Sequence, residues 1–271
     1  YDHLCLWSAT VSRLGQFLEA LDTSEQVVVN SQEQANTLDK PVNVAQTQVQ
    51  SLTVNTPTGR ALLSNVSFEL EDNQSLLLMG PSGLGKSTLL RTLAGIWPFY
   101  AGDMQLASED VALLPQKPYL PAGSLRDCLS YPKSNLLIDD LYREALQKVG
   151  LVQLVDKLDM SQEWSRSLSG GEQQKLALAR VLLQQPELVI MDEATNQLDE
   201  PTALALIRML MLALPASQII MVSHQNHLQP LFDRCLDLSE FKAKEQLSEQ
   251  VTASQAQTES MPATGLTPCD A

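Results

Sequence analysis

"GPSGLGKSTLL", residues 80–90, decides the fold. Gly80, Gly85, Lys86 and Ser87 fit the spacing G-x-x-x-x-G-K-[ST]. Glycines carry no β-carbon, so successive backbone N–H groups can turn inward and wrap around phosphate oxygens. In such a loop the lysine adds a point charge on the outer phosphates and the Ser hydroxyl holds Mg²⁺. The flanks agree with this reading. "SLLLM" (75–79) is a short apolar run of the kind that forms a buried strand. After the loop, Leu89, Leu90 and Leu93 recur at helical spacing. Strand, glycine loop and helix thus follow in order, and a helix N-terminus favours an anion. A Gly/Ser-rich turn that matches by chance is the alternative, and the ordered flanks weigh against it.

Bulk properties narrow the class. At 271 residues the chain has room for one or two domains and a sizeable core. Its formal net charge of −14 makes a basic, phosphate-neutralising face improbable, so nucleic acid is not expected as a partner. Cys5, Cys128, Cys235 and Cys269 are scattered without C-x-x-C spacing and read as reduced thiols, neither a zinc site nor a disulfide framework. No apolar stretch reaches the roughly 18–20 residues needed to span a bilayer, and no basic segment leads into an apolar one as in a secretion signal. The sequence begins at Tyr1 rather than Met, which suggests a fragment.

Along the chain, Leu4, Trp7, Val11, Leu14, Leu18 and Leu21 lie three or four apart and predict a helix over 1–22. Residues 23–50 turn polar and read as a linker. From 51 onward apolar runs alternate with helical patterns, the sign of an α/β domain. "LLSNVSFEL" predicts a strand closed by the turn Glu71-Asp72-Asn73-Gln74, and "VALLP", "LVIMD" and "QIIMVSH" predict buried strands. "LYREALQKVGLVQLVDKL" (141–158) reads as helical with Gly150 as a C-cap, and "TALALIRMLMLAL" as a helix with Pro201 at its first position. Residues 241–271 are rich in Gln, Ser, Thr, Glu and Ala and predict disorder.

Three further stretches carry chemistry. "SRSLSGGEQQKLALARVLL" feeds a Ser-Gly-Gly turn into a helix, a second place where backbone N–H groups can meet a phosphate. "ELVIMDEATNQLD" delivers adjacent carboxylates, Asp192 and Glu193, from an apolar strand, and "IIMVSHQ" delivers His224. Each alone has a plain structural reading: a capped helix, acids that cap a turn, a solvated imidazole. All of them downstream of a phosphate loop, each at the end of an element, point to one site.

This set resembles the nucleotide-binding domain of ABC (ATP-binding cassette) transporters. Further stretches, "PQKPYLPAGSLRD", "EWSRSLSGGEQQK" and "LAGIWPFYAG", resemble the half-transporter branch of peroxisomal fatty-acyl transporters and bacterial cobalamin or peptide-uptake proteins. The resemblance covers about residues 50 to 240. It implies an α/β P-loop NTPase core of ABC ATPase type, with an antiparallel β subdomain and a helical signature subdomain. ATP and Mg²⁺ are the implied cofactors. The nucleotide would be held by Gly80, Pro81, Ser82, Gly83, Leu84, Gly85, Lys86, Ser87 and Thr88, and by Ser169, Gly170 and Gly171 of a second copy. Ser87, Gln116 and Asp192 would ligate the metal. Glu193 would act as general base, with Lys86, Gln116 and His224 completing the catalytic set. Residues 1–22 would be the end of a last transmembrane helix or a coupling helix, 51–240 the cassette, and the location the cytoplasmic face of the inner membrane. Partners would be a second cassette and the protein's own or a partner's transmembrane domain.

Three positions depart from that pattern. Where the family places an aromatic to stack on adenine, this chain has Thr56 and Pro57, so looser base selectivity is expected. Asn196-Gln197 stands where Ser-Ala is commoner, which would alter communication between paired sites. Gly170-Gly171 stands where this branch often carries Pro, which restores flexibility and a close backbone approach. A transport motor is the favoured function. The alternatives are a soluble non-transport ABC ATPase, which would more often carry two cassettes or long coiled coils, and a nucleotide-sensing module with vestigial hydrolysis.

Overall fold

The computed structural model describes residues 46–133 and 137–243. It opens with strands β1 (Thr47–Asn55), β2 (Ala61–Leu70) and β3 (Ser75–Met79), followed by helix α1 (Lys86–Leu93). Then come β4 (Tyr100–Gln105), β5 (Val111–Leu114) and β6 (Gly123–Ser124), with α2 (Leu125–Ser130) and α3 (Asp139–Lys148). A 3-10 turn (Val152–Lys157) leads into β7 (Ser161–Gln162), α4 (Trp164–Ser167) and α5 (Gly170–Gln184). The last elements are β8 (Leu188–Asp192), α6 (Glu200–Ala213), β9 (Gln218–Val222) and β10 (Arg234–Asp237), with 3-10 turns at Asn226–Leu231 and Leu238–Phe241.

The central sheet has five strands in the order β10-β3-β9-β8-β5, every neighbouring pair parallel. Parallel strands are covered on both faces, which is why β8 and β9 are buried along their whole length and read as unbroken apolar runs. Alternate residues still point to opposite sides. Leu76, Leu78, Ile190 and Ile220 join one apolar cluster; Leu77, Val189, Met191, Ile219 and Met221 join the other. The first cluster takes in Leu89, Leu90 and Leu93 of α1 and Leu52, Leu63 and Leu70 from the antiparallel sheet β2-β1-β4. Helix α1 therefore shares one core with both sheets. The second cluster takes in Leu176 of α5 with Tyr142 and Trp164 of the helical segment between β6 and α5, where Arg126 pairs with Asp139 at 2.6 Å and Asp159 at 2.9 Å. This is the expected α/β cassette with its antiparallel and helical parts.

Several boundaries differ from the sequence reading. Strand β1 begins at Thr47, inside the stretch read as linker, and Gln48 and Val49 pair with both β2 and β4. Phe241 to Ala243, read as the start of the disordered tail, stay on the fold through a bridge of Lys242 to Leu63. The helix read over 141–158 ends at Lys148; Gly150 N donates back to Gln147 O, and a 3-10 turn follows. Asp199 caps α6 through Thr202 N, so Pro201 is its second residue rather than its first. Edge strands β4 and β10 carry few buried apolar side chains and gave no periodic signal. The predicted helix over 1–22 and the tail beyond 243 lie outside the described residues. Among the described residues, no helix is long and apolar enough to cross a membrane.

One glycine locks the antiparallel sheet. Gly102 has φ +105°, and a β-carbon there would lie 2.5 Å from Ser51 O and 2.9 Å from Leu52 Cα, both backbone. Gly102→Ala is expected to destabilise the fold by about 3 kcal/mol, combining left-handed strain with a backbone clash. Urea unfolding measures it; an unchanged midpoint would show that β4 shifts freely.

Candidate nucleotide site

In a parallel sheet all C-terminal strand ends lie on one edge, and ligands bind in the crevice outside it. Here β3 delivers the glycine loop, β5 delivers Gln116, β8 delivers Asp192 and Glu193, and β9 delivers His224. The register Leu78 to Val222, Met191 to Met221 and Leu114 to Met191 brings these ends level.

The loop from Gly80 to Gly85 turns β3 into α1, anchored by the buried Leu84. At Gly85 φ is +105° and a β-carbon would come within 3.1 Å of Leu62 Cβ, so both backbone angle and space call for glycine. Pro81, Ser82 and Gly83 are exposed on the rim, and Ser87 and Thr88 open α1. Lys86 is only 5% exposed. Its Nζ donates to Gly80 O at 2.9 Å and Pro81 O at 2.8 Å, and lies 3.1 Å from His224 Nε2. Burial pushes its ammonium pKa down, against the opposing pull of Glu193 and Asp192.

The two carboxylates differ. Asp192 is 8% exposed and accepts from Ser87 Oγ at 2.9 Å. Burial pushes its carboxyl pKa up, with the Ser87 hydrogen bond opposing and the neighbouring Glu193 charge adding. Glu193 leaves the strand at φ +50°, a left-handed backbone that costs a non-glycine residue roughly 1–3 kcal/mol. Its N donates to Val222 O at 3.0 Å, which ties the turn to β9. Its Oε2 accepts from Gln116 Nε2 at 2.9 Å and Asn196 Nδ2 at 3.3 Å; Oε1 lies 3.2 Å from His224 Nε2. A single His nitrogen either accepts from Lys86 or donates to Glu193, so His224 links ammonium and carboxylate but satisfies one at a time.

The loop, Gln116, Asp192, Glu193 and His224 are thus brought together. Ser169, Gly170 and Gly171 are not part of that group. They begin α5, where Ser169 and Glu172 form a reciprocal capping box, Oγ to Oε2 at 2.8 Å, that holds the Glu172 carboxyl pKa low. The neighbours of Gly170 and Gly171 are Gln197 and Leu198 of the same chain.

Hard oxygen donors at Ser87 and Asp192, 2.9 Å apart, suit Mg²⁺. Among the described residues no trio of His, Cys, Asp or Glu gathers into a metal cage, so phosphate oxygens and water would complete its shell. Gln116, expected beside the metal, has its amide on Glu193. The turn at Thr56 to Arg60 is closed by Arg60 N to Thr56 Oγ1 at 3.0 Å; Trp97 reaches its base, donating to Asn55 O at 2.9 Å.

Two contributors escaped the sequence reading. Asn196 enters that reading only as a departure bearing on paired sites, not as a donor to the Glu193 carboxylate. Gln174, 1% exposed, donates to Asn196 Oδ1 at 2.6 Å and accepts from Gln197 N at 3.1 Å. Its signal was available: Gln174 falls on the buried stripe with Ala177, Leu178 and Val181, and a polar residue on an apolar stripe must find partners.

The family described as ABC transporter matches residues 63–196. An uncharacterized ABC transporter ATP-binding protein of Haemophilus influenzae is 37% identical over 213 residues, 75% of this chain and 36% of that protein. The inner membrane ABC transporter ATP-binding protein YddA of Escherichia coli is 35% identical over 243 residues, 88% of this chain and 40% of its own. ABC transporter D family member 2, chloroplastic, of Arabidopsis thaliana is 34% identical over 302 residues, 86% of this chain and 42% of its own. The chain therefore spans less than half the length of these relatives. A bacterial Atm1-family ABC exporter solved with ATP bound superposes with TM-score 0.68 at 21% identity, over 80% of this chain and 43% of that one, a likeness of fold.

Proposed function

The chain carries a domain of the ABC transporter family, and from that premise we propose that it is the ATP-hydrolysing motor of a membrane transporter, working at the cytoplasmic face of a membrane. The observation that carries this reading is the Glu193 carboxylate, held by Gln116 and Asn196 and facing His224 and Lys86 beside the phosphate loop. A motor needs these parts and a sensor with vestigial hydrolysis does not. The relatives, two named as ABC transporter ATP-binding proteins and one as an ABC transporter family member, favour a transport motor over a soluble ATPase.

Phosphoryl transfer asks the protein for positioning and charge stabilisation more than for covalent chemistry. Backbone N–H groups of Gly83 to Thr88 would cradle the phosphates and Lys86 would sit on the outer pair. Mg²⁺, held by Ser87 and Asp192 when bound, would neutralise phosphate charge. Glu193 would take a proton from water as the water oxygen attacks the γ-phosphorus and the bond to the ADP oxygen breaks. His224 would donate to the γ-phosphate and keep the water in line.

The Ser169 turn serves a second copy in this proposal. ATP on one chain would be closed over by Ser169, Gly170 and Gly171 of its twin, and hydrolysis would let the pair part. Opening and closing would be passed to membrane helices, a bistable element biased by ligand. Ser169→Glu tests the arrangement. A further carboxylate at the mouth of α5, beside Glu172, would repel the partner's phosphate, while losing the serine cap costs about 1 kcal/mol. The expected outcome is unchanged nucleotide binding by the monomer, with ATP-dependent dimers lost in light scattering and phosphate release lost with them. Full turnover without a dimer would overturn the two-copy site.

A further inference from the structure

We propose that Asn196, clamped by the buried Gln174, is a positioning residue that aims the Glu193 carboxylate and couples it to the Ser-Gly-Gly turn of the same chain. This rests on Glu193 being the base. Asn196 Nδ2 donates to Glu193 Oε2 at 3.3 Å, and its Oδ1 accepts from Gln174 Nε2 at 2.6 Å. The Gln174 amide is used on both sides, since its Oε1 accepts from Gln197 N at 3.1 Å. An amide side chain has distinct donor and acceptor ends, so this chain of bonds has one polarity: Gln174 gives to Asn196 and Asn196 gives to Glu193. Gln116 holds the same Oε2 from the other side.

The segment holding Asn196 also grips the start of α5. A β-carbon on Gly170 would fall 1.4 Å from Gln197 Oε1, and one on Gly171 would fall 3.2 Å from Gln197 O and 3.2 Å from Leu198 Cδ2. The Gln197 side chain fills the space that Gly170 leaves. Gln174 sits one turn into the same helix. Movement of the α5 N-terminus therefore moves Gln197 and Asn196 together, and with them a hydrogen bond on the carboxylate. A Ser-Ala pair at 196 and 197 would lack both the reach to Gln174 and the contact with Gly170, so the coupling belongs to the departures this sequence makes.

Asn196 is exposed, so its replacement leaves the core intact. In the full chain, Asn196→Ala is expected to lower kcat about tenfold, a misaimed reacting group being the cause, with KM for ATP and equilibrium ATP binding unchanged. Asn196→Ser, which lacks the reach to Gln174, is expected to lose as much. Gln174→Ala gives a similar loss, and the double variant loses no more than the worse single one, as coupled partners do. A KM that rises in step with a falling melting temperature, or additive losses, would make the pair merely structural and overturn the proposal. Glu193→Gln separates the two claims. If it is silent while Asn196→Ala keeps parental kcat, the positioning role falls and the base stands. If it turns over at the parental rate, the base falls and the positioning role with it.

Discussion

Glu193→Gln is expected to bind ATP as the parent does and to release phosphate about a thousandfold more slowly, the scale of a lost general base. The exchange is nearly isosteric, so the turn held by Glu193 N to Val222 O is undisturbed. The chemistry changes. A carboxylate takes a proton from water; an amide does not. The amide also keeps one acceptor oxygen where the carboxylate received both Gln116 Nε2 and Asn196 Nδ2 on Oε2 and faced His224 with Oε1. Folding is expected to survive, because the Glu193 charge is one of the influences that push the buried Asp192 carboxyl up, and its removal relieves that repulsion. Phosphate release under saturating ATP and Mg²⁺ gives the rate, and light scattering gives the dimer. A stable ATP-dependent dimer with silent chemistry is the expected pair of readings. Parental turnover would remove Glu193 from the mechanism.

How much of this was legible in the sequence depends on what each residue answers to. The phosphate loop was readable because Gly85 and Lys86 obey local constraints, a left-handed backbone and a charge at the head of a helix. β8 and β9 were readable because burial on both faces demands unbroken apolar runs. β4 and β10 answer to their neighbours instead: "YAGDMQ" and "RCLD" are strands because β1 and β3 offer them an open edge. The start of β1 was lost for the same reason, since "TQVQ" is polar on one face and looks like linker until β2 and β4 flank it. In the site, the residue types announced their chemistry and the strand ends announced their meeting. The contacts of Asn196 and Gln174 were not announced, because they depend on how the segment after β8 folds back onto α5, a tertiary fact.

Lys86→Met separates stability from function at the loop. Met keeps an unbranched chain of similar length in a site only 5% exposed, but removes the point charge and the donors to Gly80 O and Pro81 O. ATP affinity is expected to fall about a hundredfold, the loss of a strong charge-assisted contact with phosphate, and turnover should fall below detection. The fold should not suffer in proportion. Desolvation is the largest influence on the ammonium and holds its pKa below the ordinary 10.5, despite the pull of Glu193 and Asp192. A lysine with a depressed folded pKa binds fewer protons folded than unfolded. Stability therefore rises with pH through the window from the folded pKa up to 10.5, and the penalty is fully present below that window. The variant lacks this titration. Its melting temperature should compare most favourably with the parent's below that window and lose ground as the pH approaches 10.5. Melting curves across that range, with fluorescent-nucleotide titration at pH 7, measure both effects. If the gap between parent and variant does not change with pH, Lys86 is not a buried cation held at a cost, and its hold on the loop carbonyls is all that it contributes to the fold.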